Sequence, residues 1–383
     1  MNNLWFNRFF EESTGTILKK GKVFVLEGPR RAGKTVLVNK MLRSFNGKIF
    51  SGTGDDMLVR EILSSQRLQT IITNFKSYDL IFIDEAQKIP SVGMGLKLLI
   101  DHIPNTIVIA TGSASFDLAN KIGEPLTGRQ IKRKLYPISV LELFKQLGGF
   151  EITQMLENLL IFGSYPEVLK ETDKNNKIEY LVSIRDSYLL KDILQIENIR
   201  YSSKLFDILK LIAFQIGKEV SLNELSNNLD ISKQSVERYL YLLEKAFIIK
   251  KVGGFSRNLR KEIVKTARYY FLDNGVRNAI INNLNNLSLR NDQGMLWENF
   301  LFTERLKTKE YKRIFCNDYF WRTYDKKEID LIEEGNGELR AFEFKYGKVK
   351  IKEPRLWKET YPNSKYNVIT KDNFLEFLTM SEM

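Results

Sequence analysis

An α/β fold built on a parallel sheet is the class this sequence predicts, and three observations predict it. Over residues 20–140, β-branched and aromatic runs alternate with stretches whose apolar residues recur at helical spacing. One run, Lys22-Val23-Phe24-Val25-Leu26, leads into Gly28-Pro29-Arg30-Arg31-Ala32-Gly33-Lys34-Thr35, which fits G-x-x-x-x-G-K-[ST], and Val36 to Phe45 then reads as a helix. Another run, Tyr78 to Ile83, ends on two adjacent carboxylates, Asp84 and Glu85.

The chemistry of the loop follows from its residue types. Gly28 and Gly33 let the backbone turn tightly and aim its N–H groups at phosphate oxygens. With Pro29, Arg30, Arg31, Ala32 and Val36 they outline a nucleotide cradle. Lys34 places a point charge on the β- and γ-phosphates of ATP, and Thr35 offers a hydroxyl to Mg²⁺. The following helix points its N-terminus at the phosphates. Asp84 is suited to hold the same Mg²⁺, directly or through water, and Glu85 to orient and deprotonate the attacking water. An apolar strand ending in acids is common by itself. Downstream of a phosphate loop, with the short strand Lys48-Ile49-Phe50 between, it becomes a strong signal.

With 383 residues, the chain is long enough for two or three domains. Its net charge of +12 favours a polyanionic partner, although lysine-rich surfaces also occur without one. Cys316 is the only cysteine, which excludes an intrachain disulfide and a cysteine-based zinc site. His102 is the only histidine, which excludes a two-His metal site; it falls late in an apolar helical stretch, where it meets the helix C-terminus. The opening MNNLWFNRFFEES is interrupted by Arg8, Glu11 and Glu12 and does not read as a signal peptide. No apolar run approaches the ~20 residues a membrane helix needs. A cytoplasmic protein with no membrane partner is expected.

Taken in order, the first 20 residues read as an aromatic-bearing helix and a turn. Val59 to Phe75 reads as mostly helical from Ile62, Leu63, Leu68, Ile71 and Ile72. Leu96 to Ile103 reads as a helix, and Thr106 to Thr111 as a strand running into Gly112-Ser113-Ala114-Ser115. In a parallel sheet the site lies at the C-terminal ends of the strands. Ser113, with Thr111 behind it, is there placed to touch the γ-phosphate or the attacking water; the alternative is an ordinary Ser-rich turn. Arg129 is either an arginine that reaches a γ-phosphate, in cis or from a neighbouring subunit, or a plain surface arginine.

From Glu142 to Lys250 the pattern is helical, with a polar break at Asp173-Lys174-Asn175-Asn176-Lys177. Within it, residues 204–252 look like a winged helix: Leu205 to Ile216, Ser221 to Leu229, then a third helix capped by Ser232. The start of that third helix carries Lys233, Gln234, Ser235 and Arg238, types that reach phosphates and base edges. Phe247 to Arg268, with Lys250, Lys251, Arg257, Arg260, Lys261, Lys265 and Arg268 against Glu262 alone, would be the wing and an electrostatic footprint for DNA. Winged helices also serve as packing or protein-contact modules. Asn282 to Asn291 is Asn-rich and reads as a domain boundary.

Beyond it, Met295 to Thr308 is a predicted helix carrying Glu298. Phe320 to Tyr324 and Glu328 to Glu333 are predicted hairpin strands with Asp330 in the second. Leu339 to Tyr346 is a further strand on which alternation puts Glu343 and Lys345 on one face. Asp330 and Glu343 would bind Mg²⁺, and Lys345 would position or activate a water for phosphodiester attack. Three carboxylates without a cation would repel one another, which argues for the metal. Lys348, Lys350, Lys352, Arg355 and Lys358 follow and could hold a phosphate backbone. The alternative is an ordinary cross-strand charge pattern.

The chain resembles the bacterial and archaeal P-loop ATPases of AAA type that carry a C-terminal domain of unknown function related to PD-(D/E)XK nucleases. The matching pieces are GPRRAGKT, IFIDEAQKIP, ATGSAS, LTGR followed by LYPISVLEL, FGSYPEV, Lys191-Asp192-Ile193, Thr266 to Asp273, and WENF with EIDLI and FEFK. Arg31 stands where a glutamine is common in the family, and Ser164 replaces a glycine of FGSYPEV. The resemblance implies that Lys34, Thr35, Asp84 and Glu85 form the nucleotide site and that Glu298, Asp330, Glu343 and Lys345 fill a nuclease-like quartet, with Glu298 a third metal ligand. The expected division is an ATPase domain over 1–140, a helical connector over 141–203, a winged-helix-like domain over 204–272 and a nuclease-like α/β domain over 273–383. The expected function is Mg²⁺-ATP hydrolysis coupled to DNA binding or processing. The alternative is a nucleotide-dependent switch that recruits a protein partner through non-catalytic C-terminal modules; either accommodates an oligomer.

Overall fold

The computed structural model describes residues 6–113, 125–187, 202–256, 266–323, 327–347 and 351–379. Arg257, Arg260, Lys261, Lys265, Lys348, Lys350, the Lys191-Asp192-Ile193 segment and Ala114-Ser115 lie outside these residues. A 3₁₀ turn (Phe9–Glu11) and helix α1 (Thr14–Ile17) lead into a five-stranded sheet. Its strands are β1 (Val23–Gly28), β2 (Ile49–Thr53), β3 (Leu80–Asp84), β4 (Ile107–Ser113) and β5 (Gln130–Lys134), in the order β2-β3-β4-β1-β5, every pair parallel. Helices α2 (Lys34–Arg43), α3 (Met57–Ser64), α4 (Leu68–Phe75) and α5 (Val92–His102) connect them. β1 and β3 are apolar on both faces because both are covered: Val25 and Ile81 pack with Ile71 and Leu96 on one side, Phe24 and Phe82 with Leu37 and Tyr311 on the other. Strand β5 is absent from the sequence expectation. Gln130-Ile131-Lys132-Arg133-Lys134 is a half-buried edge strand whose charged side chains give no apolar alternation to read.

Helices α6 (Val140–Leu147), α7 (Gly149–Phe162), α8 (Pro166–Lys170) and α9 (Lys174–Ser187) follow. Ser139 and Glu142 form a capping box at the start of α6. The polar run Asp173–Lys177, expected as a break, is instead the start of α9: the Asp173 carboxylate accepts the Asn176 N–H at 2.9 Å. Next come α10 (Ser202–Phe214), β6 (Glu219–Val220), α11 (Leu222–Leu229), α12 (Lys233–Lys245), β7 (Ile249–Gly254) and β8 (Ala267–Phe271), with Ser221 and Ser232 capping α11 and α12.

The hairpin β7–β8 does not close a separate module. Strand β7 pairs in parallel with β9 (Asn317–Arg322), which continues through β10 (Glu328–Gly335), β11 (Glu338–Phe344) and β12 (Lys365–Ile369). The result is one seven-stranded sheet, β12-β11-β10-β9-β7-β8-β6. Helices α13 (Asn274–Ile280), α14 (Gln293–Lys312), α15 (Arg355–Thr360) and α16 (Phe374–Thr379) complete this half. A single apolar cluster runs from Phe6 through Leu209 and Tyr270 to Phe377. The expected border at 272/273 therefore crosses a continuous sheet and a shared core.

Helix α14 reads polar yet is buried: Glu304, Arg305, Lys307 and Lys309 are at most 5% exposed. Each is paired. Arg305 meets Glu333 at 2.9 and 2.8 Å, Lys309 reaches Glu333 at 3.1 Å and also Asp318, and Lys307 meets Glu304 at 2.6 Å. Burial would raise the Glu333 pKa, but Lys309 and Arg305 more than offset it and hold it at about 2. Glu333→Gln leaves Arg305 buried without its counter-charge and Lys309 with Asp318 alone, and is expected to cost about 3–5 kcal/mol. The folded carboxyl lies below its ordinary 4.5, so its contribution is present above that pH and is lost as pH falls towards 2. Urea unfolding at pH 7 and pH 3 should show a smaller pH effect in the variant; an equal effect would assign the acid sensitivity elsewhere.

Candidate nucleotide site and C-terminal carboxylate cluster

The loop between β1 and α2 has the geometry its sequence requires. A side chain at Gly28 would meet the Leu135 carbonyl oxygen at 2.0 Å, so no other residue fits where β5 runs on past the loop. Gly33 has φ +94°, a conformation that favours glycine. Lys34 is buried and donates to the carbonyls of Gly28 and Pro29, each at 2.9 Å. Thr35 Oγ1 donates to Asp84 Oδ2 at 2.8 Å, and Thr111 donates to the other Asp84 oxygen. Thr35 and Asp84 thus present hard oxygen ligands together, a donor set that suits Mg²⁺.

Glu85 sits at φ +48°, a left-handed conformation costly for a residue with a side chain. Gln87 Nε2 donates to Glu85 Oε2 at 2.5 Å and to Ser113 Oγ at 3.1 Å, while Ser113 Oγ lies 3.5 Å from the same Glu85 oxygen. Ser113 thus meets the carboxylate expected to activate water, and Thr111 meets Asp84, the carboxylate expected to bind the metal. Gln87 was not among the expected site residues. Its one sequence signal is its position two residues after the acidic pair.

A cavity of about 470 Å³ opens against the loop, within the ~300–1,000 Å³ range of small-ligand sites. Its floor includes Arg30, Arg31, Gly33, Lys34, Thr35 and Val36, and its far wall is Pro166, Glu167, Lys170 and Tyr180 from α8 and α9. Arg31 reaches that wall, with its guanidinium 5.0 Å from the Tyr180 ring centre and Nη1 3.4 Å from Ser183 Oγ.

Beneath the loop lies Arg8, 5% exposed, which sequence reasoning missed. It donates to the Ala32 carbonyl at 2.6 Å and the Tyr136 carbonyl at 2.7 Å, pairs with Glu142 at 2.9 Å, and reaches Tyr311 Oη at 3.4 Å. An arginine between aromatic residues, Phe6 and Phe9-Phe10, is the sequence signal that points to a buried, fully bonded cation here. Arg129 does not join the site of its own chain. Its carbonyl accepts the N–H of Val23, at the opposite end of β1 from the loop, and its side chain pairs with Asp101 at 2.8 Å.

In the C-terminal half, Glu298, Asp330, Glu343 and Lys345 come together. A bulge in β10 between Ile329 and Ile332 turns Asp330 inward, where Oδ2 accepts the Phe344 N–H at 2.8 Å. Lys345 Nζ lies 2.6 Å from Glu343 Oε1, and Tyr270 donates to Glu298 Oε1 at 2.7 Å. Gly217 leaves the space Glu298 uses, since a side chain there would meet Oε1 at 2.8 Å. Burial, followed by the Asp330 charge, pushes Glu298 up to about 8 and Glu343 up to about 7.

One residue corrects the sequence argument. Arg268, expected on the DNA-facing basic run, is 2% exposed and stands inside this cluster. It lies 3.4 Å from Glu298, 2.7 Å from Glu328 and 3.6 Å from Asp330. Arg268 and Lys345 offset part of the repulsion that seemed to demand a metal. Among the described residues, the carboxylate or thiol groups that converge within 4.8 Å are Cys316, Asp318 and Glu333, not the predicted quartet. Lys309 and Arg305 occupy that second cluster. In this arrangement Arg268 stands beside the predicted metal ligands Glu298 and Asp330, and Lys345 beside Glu343. Lys250 pairs with Glu244 at 2.9 Å but keeps its side chain partly exposed.

Comparison with known proteins agrees with the first site and leaves the second open. Residues 20–144 match the family described as AAA domain, residues 153–287 a domain of unknown function (DUF8612), and residues 293–380 a domain of unknown function (DUF4143). An uncharacterized protein of Haemophilus influenzae is 26% identical over 374 residues, covering 88% of this chain and 84% of that protein. An uncharacterized protein of Methanocaldococcus jannaschii is 24% identical over 391 residues, covering 92% and 85%. Among solved structures, a Walker-type ATPase of Pyrococcus abyssi is similar over 73% of this chain and 97% of its own, with 17% identity and a TM-score of 0.45. A likeness that weak carries no functional argument. No described helix is long and apolar enough to cross a membrane. Residues 20–144, with the phosphate loop and the Asp84-Glu85 pair, thus have the sequence pattern of an AAA-type P-loop domain.

Proposed function

We propose that the chain hydrolyses Mg²⁺-ATP and passes its nucleotide state to a DNA-binding C-terminal half. The observation that carries this reading is the junction of Thr35 with Asp84 at 2.8 Å, between Lys34 and Glu85. Lys34 would leave its two carbonyl partners for the β- and γ-phosphates, Thr35 and Asp84 would hold Mg²⁺, and Glu85 would take the proton of the attacking water. Gln87 and Ser113 fix the direction of the Glu85 carboxylate, which limits the reorganisation needed at the reacting centre. Arg129 would reach a phosphate only from a neighbouring subunit. The test is phosphate release by the purified chain with and without DNA: hydrolysis that DNA alters is expected, and absence of both hydrolysis and ATP binding sinks the reading.

The DNA half of the proposal is supported by element order and charge. The order α10-β6-α11-α12-β7-β8 is that of a winged helix, and Lys233, Gln234 and Arg238 are exposed at the start of α12. With Arg268 turned inward, the basic footprint rests on Lys250, Lys251, Arg257, Arg260, Lys261 and Lys265. Replacing Arg257, Arg260 and Lys261 with alanine should weaken binding to all DNA sequences alike. It should also flatten the salt dependence by roughly 0.9 in log–log slope for each phosphate no longer neutralised. Unchanged affinity and slope in a gel-shift salt series would favour the protein-recruiting switch instead.

Metal-dependent cleavage by the C-terminal cluster is a second reading. The gathering of Glu298, Asp330, Glu343 and Lys345 favours it, and Arg268 among them opposes it. Nicking of linear, forked or four-way DNA in Mg²⁺ or Mn²⁺ that Asp330→Ala and Lys345→Ala abolish would establish it.

A further inference from the structure

We infer that the C-terminal carboxylate cluster carries its own cation: Arg268 holds the position beside Glu298 and Asp330 that a divalent metal would need, and the cluster takes up metal only when that guanidinium leaves. The inference does not depend on the nucleotide reading.

Four observations place Arg268 there. Its backbone is fixed from both sides, since it stands opposite Glu219 of β6 and Val252 of β7 in the strand ladders. Its guanidinium lies 4.6 Å from the centre of the Phe320 ring, so it is packed as well as paired. It is 2% exposed, and a buried cation of this kind persists only where several acids surround it. The acids are present: Glu298, Glu328 and Asp330 all lie within 3.6 Å of its terminal nitrogens.

The other oxygens a metal would use are largely engaged. Asp330 Oδ2 accepts a backbone N–H, and Glu343 Oε1 is paired with Lys345. Glu343 Oε2 is buried without a hydrogen-bond partner and is the oxygen that a metal would find ready. The cluster sets Glu298, Glu328, Asp330 and Glu343 against Arg268 and Lys345, so it keeps a cation-attracting field if Arg268 is removed. Removal should therefore create a metal site rather than an empty space. Two cations cannot share this position, because they would repel each other strongly in a poorly screened interior. While Arg268 stays, the wild-type chain should not nick DNA.

The experiment is Mn²⁺ binding by the full chain without nucleotide, followed by electron paramagnetic resonance of the free ion. The proteins are wild type, Asp330→Asn, Arg268→Met and the double variant; any ion held at the phosphate loop is common to all four. Wild type and Asp330→Asn should bind alike. Arg268→Met should gain a site at least roughly tenfold tighter than anything that wild type shows in this cluster, and the double variant should lose it. Mn²⁺ bound by wild type and lost on Asp330→Asn overturns the inference, as does a folded Arg268→Met that gains no site. If Arg268→Met does not fold, the wild-type and Asp330→Asn pair still decides. Arg268→Lys, which keeps the charge, should gain no Mn²⁺ site. Thermal unfolding gives an independent reading: Mn²⁺ should raise the midpoint of Arg268→Met by more than that of wild type, and should shift wild type and Asp330→Asn alike.

Discussion

Lys34→Ala is expected to lose ATP binding, and Glu85→Gln to bind ATP while hydrolysing it roughly 10²–10⁴-fold more slowly. The two effects differ because the residues act at different stages. Lys34 is buried at the base of the cradle, and nothing else on the loop presents an ammonium to the phosphates. Alanine leaves the phosphate charge unmet. Glu85 has no phosphate to hold; glutamine keeps its shape and its contact with Gln87 but cannot accept a proton. Binding measured by fluorescence of a labelled nucleotide, and turnover by phosphate release, separate the two. Equal turnover by wild type and Glu85→Gln would remove Glu85 as the base and turn attention to Asp84.

Arg8→Met is expected to destabilise the fold by about 3–5 kcal/mol, because it strands the buried Glu142 carboxylate. Burial opposes the Arg8 charge, but Glu142 more than offsets this and raises its pKa. The same guanidinium holds the Ala32 carbonyl, so the loop that should bind phosphate loses its support from below. ATP affinity should therefore fall even in the fraction that remains folded. Urea unfolding gives the stability, and nucleotide titration well below the unfolding transition gives the affinity. Arg8→Lys keeps one charge but not the fork that meets Ala32, Tyr136 and Glu142 together, so it should recover stability only in part. A folded Arg8→Met with wild-type affinity would show that the loop supports itself.

The sequence alone was enough to locate the phosphate loop and the carboxylate strand, because both are local. A phosphate cradle needs consecutive N–H groups, glycines at set offsets and a lysine, and all of these lie within eight positions of one another. The parallel sheet was legible from the apolar runs of β1, β3 and β4, which are buried on both faces. β5 was not, since an edge strand of Lys and Arg carries no periodic signal. The spacing of Glu298, Asp330, Glu343 and Lys345 was also legible, because strand alternation fixes which side chains share a face.

Tertiary structure alone decided the surroundings of those residues. Arg268 belongs by sequence to a basic run, and its neighbours in the chain gave every reason to place it on the surface. Pairing of β8 with both β6 and β7, in a sheet that continues through β9 and β10, turns it instead into a pocket of carboxylates drawn from distant segments. Arg8 is the same case at the nucleotide site: its partners, Ala32, Tyr136, Glu142 and Tyr311, lie between 24 and 303 positions away in the chain. Charge is a property of a residue, which a sequence lists. Whether that charge faces water, phosphate or a buried acid depends on contacts between remote parts of the chain, and only the folded arrangement sets those.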